Sequence, residues 1–143
     1  MILPVWGEKY VDRFLSIALP TLLAPGNLPA LAGRCTVQVF STPSALHRLR
    51  SAGAFRRLEQ LVDVVIETVS ERQVAAATAN RNHYQLMTEC HNRGIQSGRG
   101  RDVAVIFCPP DLVWAEGSFA AADRRPGRGR PGDTGGAPGG GGG

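Results

Sequence analysis

Along the chain, short apolar runs alternate with stretches in which hydrophobic residues recur every third or fourth position. Ile2 to Trp6 is an apolar run stopped by Gly7 and reads as a first strand; its Pro4 suits an edge or a strand start better than a central position. Tyr10/Val11, Phe14/Leu15, Ala18/Leu19 and Leu22/Leu23 then repeat every four residues, one face of a helix. Pro20 is expected to kink it, because its ring meets the Ser16 carbonyl, and Pro25-Gly26-Asn27 to end it. Thr36 to Phe40, β-branched and aromatic, reads as a second strand. Thr42 then caps a helix with Pro43 at its first position, where a missing N–H is harmless, and Gly53 breaks that helix near Arg50. Phe55, Leu58 and Leu61 predict a further short helical turn.

Val62 to Val69 is a third strand, and its consecutive Val64, Val65 and Ile66 predict burial on both faces. Ser70 and Gln73 have the spacing of a capping box ahead of one long helix, Glu71 to Arg93, closed by Gly94, with Val74, Ala77, Leu86, Met87 and Cys90 toward the core. Val103 to Cys108 is a fourth strand that Pro109-Pro110 terminates. The order β-α-β-α-β-α-β predicts an α/β fold: a mostly parallel four-stranded sheet covered by helices on both faces, a three-layer α/β/α arrangement. Ligands of such sheets bind beyond the carboxyl ends of the strands, where strand order reverses. Those ends here are Trp6-Gly7, Ser41-Thr42, Ser70-Glu71 and Pro109-Pro110-Asp111.

Composition divides the chain in two. Residues 120–143 hold ten of the 18 glycines and three of the 10 prolines, and supply +2 of the net charge of +4 through four arginines against two aspartates. They read as a disordered Gly/Pro/Arg-rich tail, leaving a body of residues 1–119 large enough to bury a core. The basic character therefore says little about the body. Phe14 to Gly33 is uncharged, but Pro20, Pro25, Gly26, Asn27 and Pro29 exclude a spanning helix. Glu8, Lys9, Asp12 and Arg13 ahead of it sum to zero, unlike the positive start of a secretory signal. Cys35, Cys90 and Cys108 are odd in number and lack C-x-x-C spacing, the usage of free thiols in a reducing compartment. Together these features predict a cytoplasmic protein without a transmembrane segment.

Asp111, two residues beyond the fourth strand, is the most informative polar position. A carboxylate there can hold a divalent cation that neutralises a diphosphate, or can simply cap the turn after Pro109-Pro110. Gly7 admits close backbone approach of a ligand, and Trp6 offers a face for stacking on a base, although it equally suits the core. No glycine-rich dinucleotide fingerprint or P-loop is present. His83 and Cys90 lie two helical turns apart, about 10 Å along the axis, too far to share a metal, and His91 points elsewhere. Arg128-Gly129-Arg130-Pro131 matches the core of an AT-hook, which inserts arginines into a narrow A·T minor groove. The alternative reading is therefore a non-enzymatic α/β interaction module with a DNA-contacting tail.

Two segments carry a family resemblance. Pro4-Val5-Trp6-Gly7 through Pro25-Gly26-Asn27-Leu28-Pro29 is similar to the opening of bacterial glycosyltransferase-like proteins, and Val105 to Trp114 looks like the strand leading into a D-x-D motif. Residues 1–119 thus resemble the N-terminal, nucleotide-binding half of a GT-A-type glycosyltransferase. The resemblance implies a Rossmann-like body that binds a nucleotide-sugar donor, with Trp6, Gly7 and Thr42 near the nucleotide and Asp111 near the diphosphate. Asp111 takes the last Asp of the motif and is the one candidate ligand for Mn²⁺ or Mg²⁺; Pro109 occupies the first Asp position and has no ligating side chain. No catalytic residue is carried over, and the acceptor stays unassigned. The family's acceptor-binding half would follow Phe119, where this chain changes abruptly in composition. That change predicts a truncated or frame-shifted product, inactive in transfer by itself, with Val103 to Cys108 left as an open apolar edge that favours self-association.

Overall fold

The computed structural model describes residues 1–124. Three strands, β1 (Ile2–Pro4), β2 (Thr36–Ser41) and β3 (Asp63–Thr68), form a parallel sheet in the order β1-β2-β3. Ile2 lies opposite Gln38, and Thr36 opposite Asp63. Helices cover both faces. Alternate strand residues Leu3, Val5, Val37 and Val39 pack against α1 (Glu8–Arg13), α2 (Leu19–Leu22), α3 (Pro43–Ser51) and α4 (Gly53–Leu61) in the larger core. Ile2 and Phe40 point to the other face, where they meet Leu86 and Cys90 of α6 (His83–Ser97), with Val74 and Ala77 of α5 (Glu71–Ala79) beside them.

The fourth strand is reduced to a bridge. Residues 103–108 run parallel to β1 on the flank away from β2, but only Ile2 and Phe107 pair. Ile2 N–H donates to the Ile106 carbonyl at 2.8 Å, and Cys108 N–H donates to the Ile2 carbonyl at 2.9 Å. Continuing this parallel alternation requires Pro4 to donate to Cys108 and Pro110 to donate to Pro4. Neither proline has an N–H, so the ladder ends after two bonds. Pro4 itself sits between two partners and not at a free edge. Its missing donor faces the short ladder, while its neighbours Leu3 and Val5 serve β2.

Three further expectations change. β3 is not covered on both faces: it is the far edge, and its Val65 is 42% exposed. The single long helix is two, α5 and α6, joined through Asn80, Arg81 and Asn82, with Arg81 at φ 53°. Gly94 does not close α6, which continues to Ser97; it lies where the helix crosses β1, and a Cβ there would stand 2.5 Å from Ile2 Cδ1. Pro20 lies within continuous helical backbone, and the helix ends before Pro25. A π-helical turn, Phe14–Ala18, widens the backbone just before Pro20, and α2 carries on.

The body also extends past the composition boundary. Ala120 lies inside α7 (Ser118–Asp123), whose Phe119 is buried in the larger core. Arg34 pairs with Asp123 at 2.9 Å, and Ala120 N–H donates to the Gly26 carbonyl. Among the described residues, no helix is long and apolar enough to cross a membrane.

Candidate functional site

The carboxyl ends of β1, β2 and β3 open onto a cleft of about 200 Å³ lined by Gly7, Glu8, Thr42, Ser44, Arg48 and Glu71, among others. Gly7 precedes α1 at φ 76°, and the space where its side chain would be is open to 4 Å. The turn needs a glycine at this angle, and the same lack of a Cβ leaves the backbone approachable. Thr42 is buried, and its Oγ1 accepts the Ala45 N–H at 3.3 Å, the cap expected from the sequence. Ser44 sits at the start of α3, and Glu71 at the start of α5 reaches across to it. One Glu71 carboxylate oxygen accepts from Ser44 Oγ at 2.6 Å and from Ser44 N–H at 3.2 Å. The Ser44 hydroxyl holds the Glu71 carboxyl below its ordinary value; desolvation opposes it, and Ser44 N–H and Thr42 add lesser help.

This arrangement places a carboxylate on the Ser44 N–H, the one first-turn donor of α3 that Thr42 does not already satisfy. Arg48, on the same helix, is paired with Asp12 of α1. Glu71 and Arg48 are thus engaged within the chain, by Ser44 and Asp12, and Glu8 adds a second negative charge to the lining.

Trp6 and Asp111 stand apart from this cleft. Trp6, at the end of β1, is half-buried and packs against both cores, so it closes the sheet end from above. Asp111 is exposed and pairs with Arg13 of α1 at 3.4 Å. Of the four sequence-derived site residues, the structure brings Gly7 and Thr42 to one cleft, joins Trp6 to Gly7 through the chain, and sets Asp111 on the other side of α1. Among the described residues no group of three His, Cys, Asp or Glu side chains is placed to hold a metal. Glu71 was expected only as a strand-end position, and Arg48 and Arg13 not as site residues, because each acts through a partner at least 27 residues away.

The loop leading out of the bridge is fastened by Asn27, which is fully buried. Its Nδ2 donates to the Thr21 and Ala115 carbonyls at 2.8 and 3.1 Å, and its Oδ1 accepts the Phe119 N–H at 3.3 Å. Thr21 Oγ1 accepts the Trp114 N–H at 3.1 Å. Gly26 passes so close to Gly117 that a Cβ would strike its backbone. From sequence Gly26 and Asn27 read as a helix end; in the fold they and Thr21 hold residues 114–119 against the body.

A larger hollow of about 500 Å³ lies at the opposite, amino-terminal ends of the strands, lined by Met1, Thr36, Gln38 and Val103 among others. Four of its polar groups are spent on one another: Arg34 with Asp123, and Gln38 Nε2 with Ser97 Oγ at 2.6 Å.

The cysteines are free. Burial pushes Cys90 up to about 11 and Cys108 up to about 12, and raises Cys35 as well, so all three are thiols at neutral pH and none is poised as a nucleophile. His91 lies edge-on against Phe107 at 4.8 Å, and burial lowers its pKa. Arg128-Gly129-Arg130-Pro131 lies outside the described residues. No protein-family model matches the sequence, and no match is found among curated proteins or solved structures.

Proposed function

We propose that the body of this protein is a Rossmann-like, GT-A-type half-domain that binds a nucleotide-sugar. One observation carries the reading. The bridge between Ile2 and Phe107 sets residues 103–108 on the flank of β1 away from β2, so the strand order reverses at β1. A parallel sheet binds ligands beyond the carboxyl ends of its strands at such a reversal; here residues 114–119 return to the same face as α1, where Phe119 joins the larger core. The residues beyond the reversal are Trp6, Gly7 and Asp111.

In this reading the nucleotide base stacks on Trp6, and the open backbone at Gly7 admits the diphosphate. Thr42 shapes the floor of the neighbouring cleft, its hydroxyl committed to the α3 cap. Asp111 faces the diphosphate and can hold one face of a Mn²⁺ or Mg²⁺ ion, which would neutralise phosphate charge there. Arg13 pairs with Asp111 and would bring a guanidinium beside the phosphates. The contribution of the chain is positioning and charge neutralisation, and no residue is assigned a proton-transfer or nucleophilic role.

A thermal-shift panel of UDP- and GDP-sugars, with and without Mn²⁺, tests the reading. A ligand at a hundred times its Kd stabilises the fold by about 2.7 kcal/mol, so a cognate sugar nucleotide gives a rise of several degrees. Asp111→Asn is expected to remove the Mn²⁺-dependent part of that rise and leave the rest. Equal melting temperatures with and without every sugar nucleotide at millimolar concentration would refute it.

A further inference from the structure

The flank of residues 103–108 that faces away from β1 is an unused sheet edge. The bonds to β1 use Ile106 and Cys108, so the backbone groups of Val105 and Phe107 point outward. Among the described residues, neither the N–H nor the carbonyl of Val105 or Phe107 has a hydrogen-bond partner. Val103, Val105 and Phe107 are also among the most exposed large apolar side chains, at 55%, 40% and 44%. An edge with free donors, free acceptors and apolar side chains is a template for another strand.

Charge identifies which strand fits. Arg99, Arg101 and Asp102 precede the edge, a net positive end, while Asp111, which pairs with Arg13 within the chain, and Glu116 follow it and leave that end net negative. A second copy laid antiparallel brings each basic end against the other's acidic end. We propose that the protein forms a two-fold dimer by antiparallel pairing of residues 103–109, centred on Ile106. In that register Val105 of each copy pairs with Phe107 of the other, and all four outward N–H groups find a carbonyl. Val103, whose N–H is already given to the Arg101 carbonyl at 3.1 Å, falls opposite Pro109, which has none. Arg101 falls opposite Asp111. The two edge positions unable to donate across the seam therefore face each other, and opposite charges meet at both ends of it.

The dimer does not depend on the nucleotide reading, and it is tested in nucleotide-free buffer on the full chain. Sedimentation velocity from 1 to about 200 µM is expected to show a concentration-dependent dimer, and hydrogen exchange at residues 104–108 is expected to slow as the dimer forms. Val105→Pro deletes an outward N–H that serves no bond within the chain, and is expected to leave a folded monomer. Should that variant fail to fold, charge reversal decides. Arg101→Asp or Asp111→Arg alone is expected to weaken the dimer about five- to tenfold, and the two together to restore it, since each seam holds the pair twice. A monomer throughout the range overturns the proposal. So does concentration-independent protection of residues 104–108, which would mean that the chain's own remaining residues cover the edge. A dimer equally strong in Val105→Pro, or a double reversal no stronger than the singles, overturns it too.

Discussion

The two flanks of β1 are built on different principles. On one, β1 joins β2 and β3 through continuous parallel ladders, six residue pairs long between β2 and β3. On the other, residues 103–108 hold β1 by two backbone bonds, and the remainder of that flank is fastened by side chains. Asn27 and Thr21 grip residues 114–119, Arg13 pairs with Asp111, Arg34 pairs with Asp123, and Phe119 fills the core. Pro4 and Pro110 make the difference, since each removes the donor that the next step of the ladder needs. A backbone ladder tolerates side-chain change, because its bonds come from every residue. A flank held by individual side chains fails when one of them is altered.

That contrast can be broken at one flank alone. Gly26→Ala is expected to have the largest effect, because its new Cβ meets the Gly117 backbone, which cannot swing aside as a side chain can. A loss of about 3 kcal/mol in urea unfolding is expected, at the upper end of ordinary overpacking. Limited proteolysis should cut between residues 101 and 117 while the β2–β3 amides stay protected from exchange. Equal loss of protection on both flanks would mean that they form one cooperative unit. Asn27→Ala comes next, at about 2 kcal/mol, since it leaves the Ala115 carbonyl and the Phe119 N–H without their partner. Trp114 fluorescence, close to the released loop, is the readout.

Pro110→Ala sharpens the comparison in the opposite direction. It returns an N–H aimed at the Pro4 carbonyl, while the lost ring frees the unfolded chain by a similar amount, so stability should move by less than about 1 kcal/mol. The informative signal is a newly protected amide at position 110. An amide there that exchanges freely would show that Pro110 does not limit the ladder. The smallest effect is expected at Glu71. Its carboxyl lies below the ordinary value in the fold, so it stabilises the native state above the unfolded glutamate pKa of 4.5 and loses that contribution as pH falls through the lower folded value. Wild type and Glu71→Gln should therefore converge in stability as pH falls through that lowered folded value and differ at neutral pH. A constant difference across that range would place the effect of Glu71 elsewhere than in its charge.

Legibility followed the distance between interacting residues. Thr42 capping α3, and the reciprocal Ser70–Gln73 box starting α5, were readable because cap and helix lie within three residues of each other. Gly7 and Thr42 were readable as strand-end positions for the same reason. Glu71 was marked only as the residue after a strand, and nothing local says that its carboxylate crosses to Ser44. Arg48 and Arg13 looked like ordinary surface charge until the helices set Asp12 and Asp111 against them. The single long helix expected from Glu71 to Arg93 failed because Asn80, Arg81 and Asn82 carry no glycine or proline, so the break shows only in Arg81's backbone angle. Gly94 was mistaken for a helix end because the sequence does not show Ile2 pressing on it.

The sequence by itself determined the alternation of strands and helices, the caps, the apolar faces, and the prolines at positions 4, 109 and 110. These depend on hydrogen bonds and side-chain periods spanning a few residues, which the order of amino acids already contains. Only the tertiary structure decided that Pro4 and Pro110 lie along the same short ladder, that Glu71 occupies the start of α3, and that Val105 and Phe107 keep an unused edge. Each of those outcomes joins residues far apart in the chain, and a donor is known to be missing only when the acceptor it should have served stands beside it.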